Sequence, residues 1–502
     1  MSKYKEYKGL NLPNIHKEVL RDWNEKNIFQ ECINSSEGKP TFTFYEGPPS
    51  ANGMPGIHHV ISRTIKDLFC RYKTLKGYQV NRKAGWDTHG LPVELGVEKK
   101  LGITKEDIGT TISIEDYNKA CRKDVMKYKG EWEKLTNEMG YWVDMDKPYL
   151  TYDNKYIESV WWLLSEMHRK GLLYKGFTIQ PYSPKAGTGL STHELNQPGC
   201  YRDIKDTSAV AMFKIIEDEK SDFLFDGEQE ISLIAWTTTP WTLPSNTALA
   251  VGKNITYVKV KTFNSYTSEP ISIVMAKDLL GKYFTDGISL SDYKSGDKQL
   301  PYEIVKKYTG TDLNGVNYNQ LLPYAQPEDG DAFRVILGDF VTTEDGTGIV
   351  HLAPSFGADD MRVCNQNKIG SLTLVDKSGK FVSECPQWAG RYVKNFNDDP
   401  EYQNVDIDIV VYLKQNNKAF KVEKYAHTYP HCWRTDKPIL YYPLDSWFIK
   451  TTAYKNRLTE LNKTINWKPK ATGTGRFGNW LENLVDWNLS RSRFWGTPLV
   501  WE

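Results

Sequence analysis

The chain's strongest structural commitment is made by residues 41–86. Thr41-Phe-Thr-Phe-Tyr-Glu46 alternates, with Phe42 and Phe44 on one side, and predicts a strand with a buried face. Glycines and prolines crowd the next stretch, Gly47-Pro-Pro-Ser-Ala-Asn-Gly-Met-Pro-Gly56, and predict a turn. From residue 60, Ile61, Ile65, Leu68, Tyr72 and Leu75 recur at steps of four, three, four and three. That spacing predicts an amphipathic helix, with those side chains against a core and Arg63, Lys66, Arg71 and Lys73 on or near its wet face. Gly77 is a natural stop, and residues 78–84 read as a second strand. Strand, turn, helix, strand is a βαβ unit, the building block of a doubly wound parallel α/β sheet. Ligands in such sheets sit at the carboxyl ends of the strands. Two conspicuous clusters fall there: His58-His59 at the mouth of the helix, and Gly85-Trp-Asp-Thr-His-Gly-Leu-Pro-Val-Glu94 after the second strand.

Further along, Ile157, Val160, Trp161, Leu164 and Met167 predict one face of a helix over about 154–170, ended by Lys170-Gly171. Residues of about 200–400 change character. Short β-branched runs at 208–216, 231–236, 255–261 and 333–337 are separated by Gly, Asp and Asn, and predict a β-rich domain inserted into the α/β one. At 502 residues the chain is too long for one core. The expected division is 1–198, a first Rossmann-type part with a connective region; 199–400, the β-rich insertion; and 401–502, a return to the connective region and the start of a second Rossmann half.

A net charge of +1 argues against a uniformly basic nucleic-acid-coating protein, though not against a local basic groove. No apolar run reaches the roughly 18 residues needed to span a bilayer, and Met1-Ser-Lys-Tyr-Lys-Glu6 lacks a signal peptide's apolar stretch. A cytoplasmic protein without membrane contact is the expectation. The seven cysteines are scattered, with no C-x-x-C pair, and read as reduced thiols.

An adjacent histidine pair near a turn is by itself a common surface feature. In company with Gly47-Pro-Pro upstream and Gly85-Trp-Asp downstream it resembles the nucleotide and amino-acid site of the class I aminoacyl-tRNA synthetases. The family's signature is His-x-Gly-His. Here its four positions hold Gly56, Ile57, His58 and His59, so glycine and the first histidine have exchanged places. The resemblance implies that Gly56, His58 and His59 bind ATP, with Mg²⁺ on its phosphates. His58 and His59 would be the catalytic donors to the charge that builds at phosphorus, His58 supplying the missing imidazole from a neighbouring position. A side chain at residue 58 is expected to reshape the nucleotide side of the pocket. Asp87 would hold the amino group of the amino acid, and Gly47, Pro48 and Trp495 would wall its side chain. Gly-Trp-Asp-x-His-Gly-Leu-Pro and the run Trp487-Asn-Leu-Ser-Arg-Ser-Arg-Phe-Trp-Gly-Thr-Pro498 resemble the isoleucine-specific members most. Isoleucine and tRNA(Ile) are the partners this implies, with a monomeric enzyme.

The β-rich insertion carries two further peptides of the family's hydrolytic editing domain. Trp236-Thr-Thr-Thr-Pro-Trp-Thr-Leu-Pro-Ser-Asn246 resembles its threonine-rich peptide, and Asp345-Gly-Thr-Gly-Ile-Val-His-Leu-Ala-Pro-Ser-Phe-Gly-Ala-Asp-Asp360 its second wall. A threonine-rich strand alone is usually only a strand; both peptides in this order are more specific. The implied editing residues are Thr237, Thr238, Thr239, Asn246, His351 and Asp360. The threonines would serve the ester, ribose and water. Asp360 would grip the α-ammonium, and His351 would exclude isoleucine by size. The need is physical. One methylene in an apolar pocket, isoleucine against valine being the standard instance, is worth only about 10- to 200-fold.

Structural zinc is not expected. Where zinc-bearing relatives place thiols, this chain has Ser183, Ala186 and Thr435, with Cys432 alone remaining. One thiolate does not close a tetrahedral site. This pattern is similar to the eukaryote-like branch of the family, which also occurs in some bacteria. The family's lysine-rich pyrophosphate loop does not appear before Glu502. The expectation is therefore an N-terminal part of a longer enzyme, with an incomplete synthetic site and an intact editing domain. Two rivals stand beside this reading: a free-standing aminoacyl-tRNA deacylase, and a non-catalytic synthetase-like RNA-binding protein.

Overall fold

A computed structural model describes residues 9–47, 49–225, 227 and 230–499. Contacts divide the chain into two compact units: the part up to Leu173 together with the stretch from Arg493, and the part Tyr174–Ser492. Among the described residues no helix is long and apolar enough to cross a membrane.

In the first unit, strands Thr41–Tyr45, Gln79–Trp86 and Asp144–Leu150 form a parallel sheet with Gln79–Trp86 in the centre. Thr41 faces Gln79, and the register runs to Tyr45 facing Lys83. Helix Ile57–Leu75 makes the crossover between the first two strands. It stops where Gly77 takes φ +85°, a conformation that suits glycine. Helix Leu91–Leu101 begins with a proline in its first turn and ends at Gly102, φ +67°, behind Lys99 and Lys100. Helix Ile114–Val125, capped by the Ser113 hydroxyl, packs Tyr117, Cys121 and Val125 against Val93 and Val97. The other helix expected from the sequence is Asn154–Arg169, followed by Gly171 at φ +67°.

The crossover helix is turned the opposite way from its hydrophobic pattern. Ile61 is 62% exposed and Leu68 63%, and Ile65, Tyr72 and Leu75 are exposed as well, whereas Arg63 and Cys70 are buried. The buried face is polar because its partners are polar and aromatic. Arg63 donates to Thr136 Oγ1 at 2.7 Å, with its guanidinium over the rings of Trp132 and Tyr141. Lys66 pairs with the buried Glu46 at 2.6 Å, and Asp67 pairs with both Arg71 and Arg82. Helix Asn154–Arg169 also shows little burial, Leu164 being its one fully buried residue.

The second unit is built on a mixed sheet. Its order is Glu303–Thr309, Thr256–Phe263, Pro270–Ala276, Ile231–Thr237, Ile349–Leu352, Ala248–Val251 and Arg334–Leu337. Ile231–Thr237 also pairs antiparallel with Tyr201–Lys214, which in turn pairs antiparallel with Ala419–Pro430. The sheet thus takes in chain beyond residue 400. The β-branched runs became strands because both of their faces are covered. Ile231, Leu233, Ile234, Tyr257, Val258, Ile273 and Val274 are all fully buried in one core. Each such side chain contributes about 1.5–3 kcal/mol, which makes this sheet a rigid platform for the loops at its strand ends.

Candidate active sites

The residues singled out in the sequence gather into two groups, one in each unit. In the first unit the loop after Tyr45 is held from below. Glu46 is 3% exposed; it accepts from Lys66 Nζ at 2.6 Å and from the Tyr141 hydroxyl. Trp132 Nε1 donates to Gly53 O at 2.9 Å and Tyr128 N–H to Ala51 O at 2.9 Å. Asp87 N–H donates to Pro49 O at 3.0 Å, which stitches the Asp87 turn to the glycine–proline loop. Gly47 is exposed, and a Cβ there would stand 3.6 Å from Lys66 Nζ. Pro48 lies outside the described residues.

Gly56 caps helix Ile57–Leu75. Its N–H donates to His59 Nδ1 at 2.8 Å, and His59 N–H donates to Gly56 O at 3.0 Å. A ring nitrogen that accepts carries no proton, so the His59 proton is on Nε2, away from the cap. His59 lies 3.8 Å from the His58 ring and meets Trp132 edge-on at 4.6 Å. Burial, then the neighbouring His58, lowers the basicity of His59. The His58 ring stands over Gly56, in the space a side chain at residue 56 would need. Two imidazoles therefore sit at one helix start, where backbone N–H groups and the helix dipole favour an anion.

The Asp87 side chain is reachable from solvent, yet crowding by surrounding atoms raises its carboxyl above the usual range, against a backbone hydrogen bond from His89. Trp495 is buried, and its indole N–H donates to Thr88 O at 2.6 Å. His89 meets Trp495 edge-on at 5.2 Å; burial and then Arg122 lower its pKa to about 4, so it is uncharged at neutral pH. A cavity of about 290 Å³ opens beside Trp495, His89, Tyr152 and Arg122.

In the second unit a cavity of about 430 Å³ is lined by Thr237, Thr238, Thr239, Thr242, His351 and Asp360 among others. Thr239 N–H donates to Thr237 Oγ1 at 3.1 Å, and the two hydroxyls are 3.3 Å apart. Asn246 stands behind this wall rather than in it. It is 1% exposed, its Oδ1 accepts from the Tyr318 hydroxyl at 2.7 Å, and its Nδ2 donates to Ala248 O at 2.8 Å and to His351 Nδ1 at 3.0 Å. That orientation puts the His351 proton on Nε2, which donates to Thr242 Oγ1 at 2.8 Å; the Thr242 hydroxyl donates to Thr239 O at 2.8 Å. Burial lowers His351 to about 4. His351 is thus a neutral, fixed ring, suited to shaping the cavity and not to moving protons near pH 7.

Asp360 is the third residue of helix Ala358–Gln366, and its Oδ2 accepts from Ala353 N–H at 2.9 Å. Burial pushes its carboxyl up to about 6. The carboxylate folds back over Gly357, where a Cβ would meet it at 2.6–2.9 Å. Beneath the threonine peptide lies a buried ion cluster. Trp241 N–H donates to Asp406 Oδ1 at 2.9 Å, and Lys394 Nζ reaches Asp206 at 2.8 Å and Asp406 at 3.3 Å. Burial opposes the charge on Lys394, but Asp406, Tyr429 and Asp206 hold it protonated.

Glu94, Thr242, Tyr318, Lys394 and Asp406 escaped the sequence reading. Glu94 and Thr242 lie inside the quoted motifs, but nothing local distinguishes Tyr318, Lys394 or Asp406. Among the described residues no group of three or more His, Cys, Asp or Glu is arranged to hold a metal ion.

A profile of tRNA synthetases class I (I, L, M and V) matches residues 18–501. The isoleucine–tRNA ligase of Cytophaga hutchinsonii is 62% identical, over 99% of this chain and 47% of that protein. That of Bacteroides fragilis is 59% identical, over 99% of this chain and 46% of its own length. The Clostridium tetani enzyme is 46% identical, over 97% and 43%. The chain spans about half the length of the curated relatives it matches. Among solved structures, the editing domain of Plasmodium knowlesi cytosolic leucyl-tRNA synthetase overlaps 45% of this chain and 98% of its own, with 12% identity and a TM-score of 0.31.

Proposed function

The chain belongs to the class I tRNA synthetases, and on that footing we propose that it carries the activating and proofreading sites of an isoleucine–tRNA ligase. In activation, an isoleucine carboxylate oxygen attacks the α-phosphorus of ATP and pyrophosphate leaves. The terminal ribose hydroxyl of tRNA(Ile) then takes the acyl group and AMP leaves. His59 Nε2–H and His58 donate to phosphate oxygens as charge builds, and Gly56 lets the nucleotide pass close to the backbone. Asp87 pairs with the isoleucine ammonium. Trp495, Gly47 and Pro48 wall the side chain. Mg²⁺ is expected with ATP. No described cluster of carboxylates or histidines fits it, so the phosphate oxygens would carry it.

Proofreading takes place in the second cavity. Water attacks the ester carbonyl of Val-tRNA(Ile), and the ribose hydroxyl leaves with a proton. Thr237, Thr238 and Thr239 orient the ester and the water, Asp360 binds the ammonium in its ionised form, and His351, held by Asn246 and Thr242, limits the side chain to valine. The observation that carries this half is the meeting of the threonine peptide with His351 and Asp360 around one cavity, although the whole stretch 247–344 separates the two peptides. The test is hydrolysis. The chain should deacylate Val-tRNA(Ile) and spare Ile-tRNA(Ile); equal rates on both, or none, would refute this half.

A narrower second reading, hydrolysis without activation, is favoured by one observation: every residue of the hydrolytic cavity belongs to the unit Tyr174–Ser492. Isoleucine-dependent ATP–pyrophosphate exchange distinguishes the two.

A further inference from the structure

Glu94 is 1% exposed, in the first turn of helix Leu91–Leu101. Its Oε1 accepts two successive backbone donors from the far end of the chain: Phe494 N–H at 3.0 Å and Trp495 N–H at 3.0 Å. Its Oε2 accepts from Arg493 Nε at 2.9 Å, and Glu98 takes another guanidinium nitrogen of the same arginine. A buried carboxylate with this many donors is a strong local anchor, because each bond is charge-assisted and none competes with water. Trp495 is thereby suspended between two points. Its backbone hangs on Glu94, and its indole N–H reaches Thr88 O at 2.6 Å, the residue next to Asp87. Trp495 belongs to the same buried cluster as Val93 and Val97 and meets the His89 ring at 5.2 Å, but it also lines the cavity of about 290 Å³, so packing does not hold it from every direction.

We propose that Glu94 is a positioning residue for the isoleucine pocket, acting through Trp495: it sets the distance between the wall that reads the side chain and the Asp87 turn that holds the ammonium. This rests on the assignment of Asp87 and Trp495 to the amino-acid pocket. Glu94 touches no reacting atom. Its effect is on how well the pocket fits isoleucine, not on the chemical step.

The experiment compares wild type, Glu94→Ala and Glu94→Gln, all in the whole chain, by three measurements: isoleucine binding by calorimetry, amide hydrogen exchange of residues 493–496, and deacylation of Val-tRNA(Ile). Alanine removes every acceptor. Glutamine keeps an oxygen for the two N–H groups but presents its own donors to Arg493. The expected result is isoleucine binding weakened about tenfold or more in Glu94→Ala and partly restored in Glu94→Gln. Exchange at Phe494 and Trp495 should quicken in the same order, and deacylation should stay unchanged. Wild-type binding that is unaltered in Glu94→Ala would overturn the proposal. Quickened exchange with unaltered binding would do so too, since Glu94 would then be a structural anchor only. No isoleucine binding by the wild type would refute the pocket itself, and the role of Glu94 with it. If Glu94→Ala does not fold, Glu94→Gln decides alone: it must bind isoleucine more weakly than wild type while deacylating normally.

Discussion

The His58 ring fills the space that a side chain on Gly56 would need: an ideal Cβ there lies 2.9 Å from His58 Cε1 and 3.0 Å from Nδ1. Residues 56 and 58 are thus coupled, and only one of them can carry the bulk. Because the clash is with the end of a mobile side chain, Gly56→Ala should displace the His58 ring rather than unfold the helix start. In protein that activates isoleucine, ATP–pyrophosphate exchange is expected to fall about 10²- to 10³-fold, as when one preorganised donor is lost, with an unchanged melting temperature. Gly56→His alone should fare worse, and Gly56→His with His58→Gly should recover most of the activity. An active Gly56→His single variant would break the coupling.

Asp360 gives the proposed hydrolytic site a pH signature. Its carboxyl is pushed up to about 6, and an α-ammonium binds only its ionised form. In the free protein, kcat/KM for Val-tRNA(Ile) deacylation should therefore rise with pH through about 6. The stability sign is opposite. A carboxyl raised on folding supports the folded state below its ordinary value and loses that support as pH rises through about 6. Asp360→Asn should thus abolish hydrolysis yet melt higher than wild type at pH 8. A variant that melts lower at pH 8 would show that the carboxylate is stabilising after all.

Lys394 lies between two buried carboxylates, Asp206 and Asp406. Lys394→Met removes the cation from Asp406 and leaves Asp206 with His427 Nε2 at 3.3 Å; breaking a buried pair in this way typically destabilises by about 3–5 kcal/mol. Asp406 is raised to about 6 by burial even beside this lysine, so the deficit should shrink as pH falls toward 5 and Asp406 takes a proton. Urea unfolding at pH 5 and pH 8 measures the difference. A deficit independent of pH would mean the loss is one of packing.

The exposed stripe of helix Ile57–Leu75 behaves as surface in this chain. Leu68→Lys should change unfolding by no more than about 0.5 kcal/mol, the range of ordinary surface substitutions, whereas Arg63→Met, which strips Thr136 and two aromatic rings of their partner, should cost more. Ile61, Ile65, Leu68 and Tyr72 together make an apolar patch prone to association. Sedimentation of Leu68→Lys against wild type over a range of concentrations should show less self-association in the variant.

That helix marks the limit of what the sequence tells. The βαβ unit was legible because strand alternation, the glycine–proline turn and the helical period each leave a local trace. The buried face was not, since Arg63, Asp67, Cys70 and Thr74 repeat with the same period as the apolar stripe, and periodicity alone does not say which stripe meets a core. The residues proposed for hydrolysis were singled out through resemblance to known peptides. Resemblance named Asn246 among these residues without saying where it stands; it lies one layer behind the cavity, its amide bonded to His351 and Tyr318. Tyr318 with Asn246, Lys394 with Asp206 and Asp406 with Trp241 are each joined across long stretches of sequence, and no short window along the chain contains both members of such a pair.

The pairing of Tyr201–Lys214 with Ala419–Pro430 has a practical consequence. Tyr201 faces Pro430 across the ladder, and His431 N–H reaches Cys200 O at 2.6 Å, so the polypeptide goes in and comes out at adjacent points, about 5 Å apart as in any antiparallel pair. A piece cut at these two points already has its ends side by side. It could be closed into a ring with a few glycines, or grafted into a surface hairpin of an unrelated host, without stretching either partner.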